Sequence, residues 1–290
     1  MSGKRGKGGR LVARHALPAW HKAFVNEHIH TGFRTEYSVA ECARSLFALH
    51  NETGNVWSHL LGFLLFCVLG VHLYGWVLDG SLTHGGIFFL FMCGNLMCFG
   101  ASTCYHLLHC SSHALYETTM FFDYVGISVL ITASFIPPIY FAFGCHPTLQ
   151  VVYTSMISIL GGAAIVLPFL QQFNDARFYG LRMMMYVLVV ASGVIPTVHC
   201  LVIMPFSGAT PMFRGIGLIF LFYGVGVIFY VTQFPEKWYP GRFDYWGHSH
   251  QIWHVFVLLA AVIHFYTCLG LYQRNALRDC DLAFAAVGVA

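Results

Sequence analysis

Apolar residues in this chain form long stretches without charge, separated by short polar segments. Stretches free of Asp, Glu, Lys and Arg run over 53–78, 80–116, 124–174, 183–213, 215–235 and 245–273. Each is long enough for the roughly 20 apolar residues that cross a bilayer as a helix. The stretch 124–174 has room for two spans, with the turn signal Gly144-Cys-His-Pro147 between them. The pattern therefore predicts seven helices, near 59–78, 86–106, 122–143, 150–170, 182–203, 213–232 and 250–272.

Composition agrees with this prediction. Only 9% of the residues are charged, 57% are hydrophobic and the mean hydropathy is +0.65, which lies outside the usual range of soluble domains. We therefore expect an all-α, multi-pass integral membrane protein whose first span serves as its own insertion signal. Plasma membrane, Golgi and endoplasmic reticulum all fit this pattern.

Basic residues favour one orientation in the membrane. With seven spans, 12 of the 15 Lys and Arg residues fall on the amino-terminal side and 3 on the opposite side. Because basic loops tend to stay in the cytoplasm, the amino terminus is predicted to be cytoplasmic and the carboxy terminus exoplasmic. The net charge of +3 then reflects orientation, and no nucleic-acid partner is expected.

The chain divides into four predicted regions. Residues 1–37 are expected to form a basic, disordered cytoplasmic segment, and residues 38–58 an amphipathic juxtamembrane helix and loop. The sequence Ser38-Val-Ala-Glu41 is a capping box that would begin that helix. Residues 59–272 are predicted to form the seven-helix domain, followed by a short exoplasmic tail over 273–290.

Candidate chemistry lies near the ends of the predicted spans. His250 and His254 are four residues apart, so on a helix they point the same way, as in a two-histidine metal clamp. With 17 histidines in the chain, that spacing alone does not separate a clamp from coincidence. Asp123 opens the third predicted span, where an ionised carboxylate needs a partner or a polar cavity. By contrast, Asn51 and Glu52 are expected to be ordinary capping and loop residues, as is Asn55.

The predicted topology brings the candidates to one leaflet. The second span ends on the cytoplasmic side with Ser102 and His106. The third and seventh spans begin on that side, with Asp123 and with His250 and His254. This agreement is the main argument from the residues for a common site.

Three histidine nitrogens with an open fourth position describe a catalytic zinc centre. Asp123 would then orient a water molecule or accept its proton, and Ser102 would donate to a developing oxyanion. The residues alone leave His106, His109 and His248 open as the third ligand. They also leave a hydrogen-bonded helix-packing cluster as the alternative to a metal site.

Six stretches of the sequence match one known family, and they are Thr31-Gly-Phe-Arg34, Ser45 to Phe63, Ser102-x3-His106, Phe122 to Gly126, Val194 to His199 and Pro240 to His254. Together they resemble the progestin and adipoQ receptor family, related to bacterial hemolysin III proteins, from about Thr31 to Leu271. The resemblance implies zinc bound by His106, His250 and His254, with functional roles for Ser102 and Asp123.

The resemblance also implies a function. Adiponectin-receptor members of the family are regarded as receptors with ceramidase activity, so we expect a ceramide or related lipid in an intramembrane cavity. An extracellular protein or steroid ligand, and a cytoplasmic partner of the amino-terminal region, are further expectations. The alternative is a non-enzymatic receptor or Golgi-type scaffold with structural zinc. A channel is least favoured, because the sequence has no repeated ring of charges.

Overall fold

A computed structural model describes residues 10–170, 178–203 and 206–275. Helices dominate these ranges, and the β pairing within them is an isolated bridge between Val12 and Phe33. The α-helices of these ranges are α1 Ala19–Lys22, α2 Val39–Arg44, α3 Thr53–His72, α4 Leu82–Leu108, α5 His113–Ala142, α6 Pro147–Val166, α7 Tyr179–Ser192, α8 Val194–Ile203, α9 Phe206–Thr232 and α10 Ser249–Asn275.

Seven helical segments of the described residues are long and apolar enough to cross a membrane, which confirms the predicted number. They are Thr53–Val77, Leu82–Leu108, His113–Ala142, Pro147–Phe169, Met184–Ile203, Met212–Thr232 and Ser249–Arg274. Two of them begin earlier than predicted, at Thr53 instead of near 59 and at His113 instead of near 122. Their first turns are polar, so an apolar pattern alone misses them. As a result, Asp123 lies inside α5 and not at its start.

The amino-terminal region is folded from Arg10 onward, which corrects the expectation of a disordered segment over 1–37 as far as the described residues reach. Leu17, Ile29 and Phe33 form a small buried core there. Phe33 also pairs with Val12 through two backbone hydrogen bonds of 2.8 and 3.1 Å. The capping box is confirmed: the Ser38 hydroxyl accepts from the Glu41 amide, and the Glu41 carboxylate accepts from the Ser38 amide. The described part of this segment is therefore ordered, with a small apolar core, a backbone bridge and a capped helix.

By its internal contacts the chain divides into two compact units. The first comprises residues 1–67, 98–124 and 221–259, and the second comprises 68–97, 125–220 and 260–290. In the second unit, the rings of Phe88, Phe141 and Tyr272 pack together with centroids 5.6 to 5.8 Å apart. The candidate residues of the sequence analysis all belong to the first unit.

Close packing of α3 against α10 organises the first unit. On α3, Gly54 lies against Gln251 and Gly62 lies against Leu258. A Cβ atom added to either glycine would press on the side chain that it faces. Between the two glycines, the hydroxyl of Ser58 lies 3.2 Å from Nδ1 of His254. Small residues at this spacing share one helix face and let two helices come together. This packing brings the polar start of α3 beside the histidines of α10.

Candidate metal centre

Three histidine side chains from two helices meet in the first unit. His106 comes from the last turn of α4, and His250 and His254 lie one turn apart on α10. One ring nitrogen of each lies within 4.8 Å of the other two, and Nε2 of His106 is 3.3 Å from Nε2 of His250. His106 and His254 are buried, while His250 is partly exposed. The described part of the chain thus holds one histidine triad that could bind a metal ion.

His106 is oriented by a carboxylate that the sequence analysis treated as a loop residue. Nδ1 of His106 donates to Oε2 of Glu52 over 2.8 Å, which leaves Nε2 directed at the other two histidines. Glu52 is itself held by the side-chain amides of Asn55, 2.5 Å from Oε2, and Asn51, 3.1 Å from Oε1. Such carboxylate–histidine pairs commonly fix the tautomer of a metal ligand and make it more basic.

The charge state of Glu52 follows from these contacts. Burial by itself would raise the pKa of this carboxyl group, but the hydrogen bonds from His106 and Asn55 help to hold it well below its ordinary value. Glu52 is therefore ionised near neutral pH. A half-buried carboxylate beside an imidazole N–H suits a site that carries positive charge on the far side of the ring.

In His254, as in His106, one ring nitrogen contacts neighbouring groups and the other is left for the triad. Its Nδ1 faces the Ser58 hydroxyl at 3.2 Å and the Asn55 carbonyl oxygen at 3.3 Å, both on α3. The ring also stacks on His59, with centroids 3.7 Å apart and planes 12° from parallel. These contacts fix the ring and leave Nε2 available to the triad.

The donor set fits a zinc ion. Two nitrogens 3.3 Å apart need either a shared proton or a cation between them. Neutral imidazoles are common zinc ligands, and three of them leave an open position on a tetrahedral ion. Both His106 and His254 have their second nitrogen engaged, as metal-bound histidines usually do. The three nitrogens could therefore hold a metal ion.

Ser102 and Asp123 lie beside the triad and contact each other. Ser102 is buried one turn before His106 on α4, and its hydroxyl donates to the partly exposed carboxylate of Asp123 on α5. The same carboxylate interacts electrostatically with His106. The predicted role of Ser102 as a donor to an oxyanion stays a prediction, and in the structure its hydroxyl contacts Asp123.

His109 and His248, the two other candidates for the third ligand, have different surroundings. Nε2 of His109 lies 3.8 Å from Oε1 of Glu52, on the side of the carboxylate away from His106. Nε2 of His248 lies 3.2 Å from the carbonyl oxygen of Asn51. Burial lowers the pKa of both rings, so both are neutral at physiological pH. They support the loop before α3 and are not part of the triad.

Arg34 fixes the end of α4 that carries His106. The residue is 2% exposed, and its guanidinium group donates to the carbonyl oxygens of His106 at 2.7 Å and Leu107 at 3.0 Å. A third bond of 2.7 Å reaches the hydroxyl of Ser45. Cations at a helix carboxy terminus satisfy carbonyl groups that have no partner within the helix. The sequence analysis included Arg34 in a matching motif but gave it no role.

Two buried carboxylates hold the start of α10. Glu236 accepts from the backbone amide of Ser249 at 2.7 Å and from the side-chain amide of Asn26 at 2.9 Å. Asp244 accepts from the backbone amides of His30 and Thr31 at 2.9 and 2.8 Å. The amino-terminal segment and the loop before α10 are therefore joined directly ahead of His250 and His254. Sequence signals for these contacts are weak, because the partners are more than 200 positions apart.

Comparison with known proteins shows the family to which the chain belongs. A sequence profile described as "Haemolysin-III related" matches residues 47–265, which is most of the chain. The chain belongs to this family. The matched range contains the whole candidate centre, from Glu52 to His254. The residues that show the family therefore include those that form the site.

Individual relatives of this haemolysin-III related protein carry receptor names. It is 36% identical over 258 residues to the Caenorhabditis elegans "Progestin and adipoQ receptor-like protein 1", and 37% over 257 residues to the Drosophila melanogaster "Adiponectin receptor protein". Each match covers 86% of this chain but only 58% and 57% of those relatives. The Oryza sativa "Heptahelical transmembrane protein ADIPOR1" is 33% identical, over 93% of this chain and 86% of its own length. The predicted receptor-type, seven-helix membrane family is thereby confirmed.

Proposed function

We propose that this receptor-type membrane protein binds zinc through His106, His250 and His254 and hydrolyses the amide bond of a membrane lipid, as a ceramidase does. The observation that carries the proposal is the cluster of three histidine nitrogens within 4.8 Å. The carboxylate of Asp123 beside this cluster supplies the group that an amide hydrolase needs for proton transfer.

Zinc held by three neutral imidazoles polarises a carbonyl group and makes water more acidic. Asp123 is placed to accept a proton from the attacking water and to return it to the amine nitrogen as the C–N bond breaks. Ser102 keeps the carboxylate of Asp123 in one orientation through its hydrogen bond. Glu52 keeps Nδ1 of His106 protonated, so that Nε2 stays a ligand. The products are a carboxylic acid and an amine.

Partial exposure of the centre supports a lipid substrate. His250 and Asp123 are each partly exposed, whereas Ser102, His106 and His254 are buried, so the triad is open on one side. Apolar side chains of the spans elsewhere in this unit are exposed, among them Leu61 and Leu64 on α3. A ceramide or related lipid amide therefore suits the surroundings. We also propose that an extracellular protein or steroid ligand acts on this site. The support for this ligand comes from the names of the relatives alone.

Zinc content and lipid turnover of purified protein test the proposal together. Wild type should contain about one zinc per chain, as three-histidine centres do. It should also release fatty acid from ceramide. The double variant His250→Ala/His254→Ala should lose both. His264→Ala is the matched control, because it removes another histidine of α10 that binds the carbonyl oxygen of Ser134 at 2.7 Å. Well-folded wild type without zinc, or turnover unchanged in the double variant, would refute hydrolysis at this centre.

A second candidate function is a receptor or Golgi-type scaffold in which zinc is structural and the amino-terminal region recruits a cytoplasmic partner. The observation in its favour is the folded amino-terminal segment with apolar side chains on its surface, such as Phe47, which is 82% exposed. Deletion of residues 1–44 is a poor test, because it removes Arg34 and with it the contact to His106. Phe47→Ser leaves Arg34 and its contact with His106 in place. A cellular phenotype lost in Phe47→Ser but retained in Asp123→Asn would favour the scaffold.

A further inference from the structure

Two cysteine thiols face each other in the amino-terminal part of the first unit. Sγ of Cys42, on α2, lies 3.6 Å from Sγ of Cys110, two residues beyond the end of α4. Both side chains are buried, at 0% and 1% exposure, and both are free thiols. Tyr37 and Leu108 pack around them. The sequence analysis had no reason to pair two cysteines 68 positions apart.

The backbone around each thiol is anchored independently of the sulfur contact. The carbonyl oxygen of Cys110 accepts from the amide of Glu36 at 2.8 Å. The carbonyl oxygen of Cys42 accepts from the hydroxyl of Ser45 at 2.6 Å, and that hydroxyl in turn accepts from Arg34. The two sulfur atoms are therefore held near each other by a preformed frame. A disulfide requires an S–S distance of about 2.0 Å, so rotation of the two side chains would cover most of the remaining gap.

We propose that Cys42 and Cys110 are a modification site, at which a peroxide converts the thiol pair into a reversible disulfide. A disulfide between either of these thiols and a third cysteine is disfavoured, because no other free cysteine among the described residues contacts them. This inference does not depend on zinc or on hydrolysis.

The chemistry balances with hydrogen peroxide as the oxidant. The Cys42 thiolate attacks one peroxide oxygen, the O–O bond breaks, and the products are a sulfenic acid and hydroxide. The Cys110 sulfur then attacks the Cys42 sulfur, the S–O bond breaks, and the displaced hydroxide takes the Cys110 proton to form water. Overall two thiols lose two electrons and one peroxide becomes two molecules of water. A thiol reductant reverses the step.

Local electrostatics support Cys42 as the attacking group. The hydrogen bond from Cys110 lowers the pKa of the Cys42 thiol against the opposing effect of burial. The same hydrogen bond, together with burial, raises the pKa of Cys110. Arg34 lies close enough for its positive charge to favour a thiolate on either sulfur. Because Cys42 and Cys110 are equally buried, thiolate character decides which of the two reacts first.

A disulfide here would tie α2 covalently to the end of α4. Arg34 already joins the same two places through Ser45 and the carbonyl oxygen of His106. The added bond would close a long loop and so restrict the unfolded chain, which stabilises the folded state. If the amino-terminal side is cytoplasmic, as the basic residues predict, the bond would be transient and would respond to oxidising conditions.

Peptide mapping of the full-length protein in detergent tests the proposal. The protein is exposed to hydrogen peroxide, quenched, unfolded in the presence of N-ethylmaleimide, digested and analysed by mass spectrometry. We expect a cross-linked peptide containing Cys42 and Cys110 that disappears after reduction. The melting temperature should rise by roughly 5 °C on oxidation and return on reduction.

Matched variants separate this pair from general oxidation. Cys67→Ser changes a cysteine on α3 outside the pair and should retain both the cross-link and the rise in melting temperature. Cys42→Ser and Cys110→Ser should each lose both. The proposal is overturned if Cys42 and Cys110 carry maleimide, or separate oxidation products, under conditions that oxidise the exposed Cys104. Because the first readout uses wild type, a variant that fails to fold does not affect this outcome.

Discussion

The carboxylate of Glu52 and the imidazole of His106 are joined by a hydrogen bond of 2.8 Å between Oε2 and Nδ1. They are 54 positions apart in the sequence and belong to different parts of the first unit. The bond makes Glu52, from the polar segment before α3, part of the candidate metal centre. It also decides which nitrogen of His106 faces His250.

The Glu52→Gln variant should bind zinc more weakly. A glutamine can still accept the His106 proton, but it lacks the charge that makes the imidazole a stronger donor. Loss of an outer-shell carboxylate typically costs about 10- to 100-fold in metal affinity. Competition with a chelator of known affinity would measure the change. Glu117→Gln, which alters an exposed carboxylate near His113, is the control and should bind zinc as wild type does.

Asp123→Asn and Ser102→Ala should affect hydrolysis and leave zinc content unchanged. Neither side chain belongs to the triad, so the three nitrogens keep their positions. Removal of a general base typically reduces turnover by about 100-fold or more, and loss of the residue that orients it should cost less. Fatty-acid release and zinc content, measured on the same preparations, would check both variants. Loss of zinc from Asp123→Asn would contradict the assigned role and make Asp123 a ligand.

Sequence alone predicts the parts of this molecule that the bilayer constrains. Charge-free stretches give seven spans because an uncompensated charge is costly in lipid, and the structure confirms that number. The i,i+4 spacing of His250 and His254 places them on one helix face. Convergence with His106 follows from the alternating direction of the spans.

The remaining contacts depend on tertiary structure. Glu52 and Asn55 resemble ordinary capping residues, and only the packing of α3 against α10 shows what they bind. Arg34 reaches helix carbonyl groups, which carry no sequence signature. Asp123 lies deeper in α5 than expected, because the helix begins with polar residues from His113. Cys42 and Cys110 come together through the frame that Arg34 and Ser45 create.

Two buried histidines outside the spans predict sensitivity to acid. Burial is the main cause that lowers the pKa of His21 and of His50 to about 4, from an ordinary value of 6.5. Both rings are neutral in the folded protein at pH 7, and both would bind a proton more readily when unfolded. Their contribution to stability is therefore complete above pH 6.5 and is lost as the pH falls from 6.5 towards 4. Each group corresponds to about 3 kcal/mol at most.

Thermal unfolding of metal-depleted protein between pH 7.5 and 4 would measure this effect without zinc release. His21→Phe should flatten the dependence, because the ring packs between Trp20 and Phe33 and its nitrogens make no hydrogen bond. His15→Phe changes an exposed histidine nearby and should leave the dependence as in wild type. An unchanged slope in His21→Phe would show that other groups cause the acid sensitivity.

The closest approach of α3 to α10 should depend on Gly54. An added Cβ would collide with the side-chain amide of Gln251, which donates to the carbonyl oxygen of Tyr245 at 2.9 Å and accepts from the amide of Gly247 at 2.7 Å. Gly54→Ala therefore displaces Gln251 and loosens the start of α10. We expect a loss of about 1–3 kcal/mol in the free energy of unfolding, the range for overpacking.

A double-mutant cycle would assign that loss to the contact with Gln251. Gln251→Ala alone should also destabilise the protein, because it removes the same hydrogen bonds. In Gly54→Ala/Gln251→Ala the collision is absent, so the combined loss should be smaller than the sum of the two single losses. Gly86→Ala, at a helical glycine with open space around it, should be neutral or stabilising. Additive losses in the double variant would mean that Gly54 acts through another neighbour.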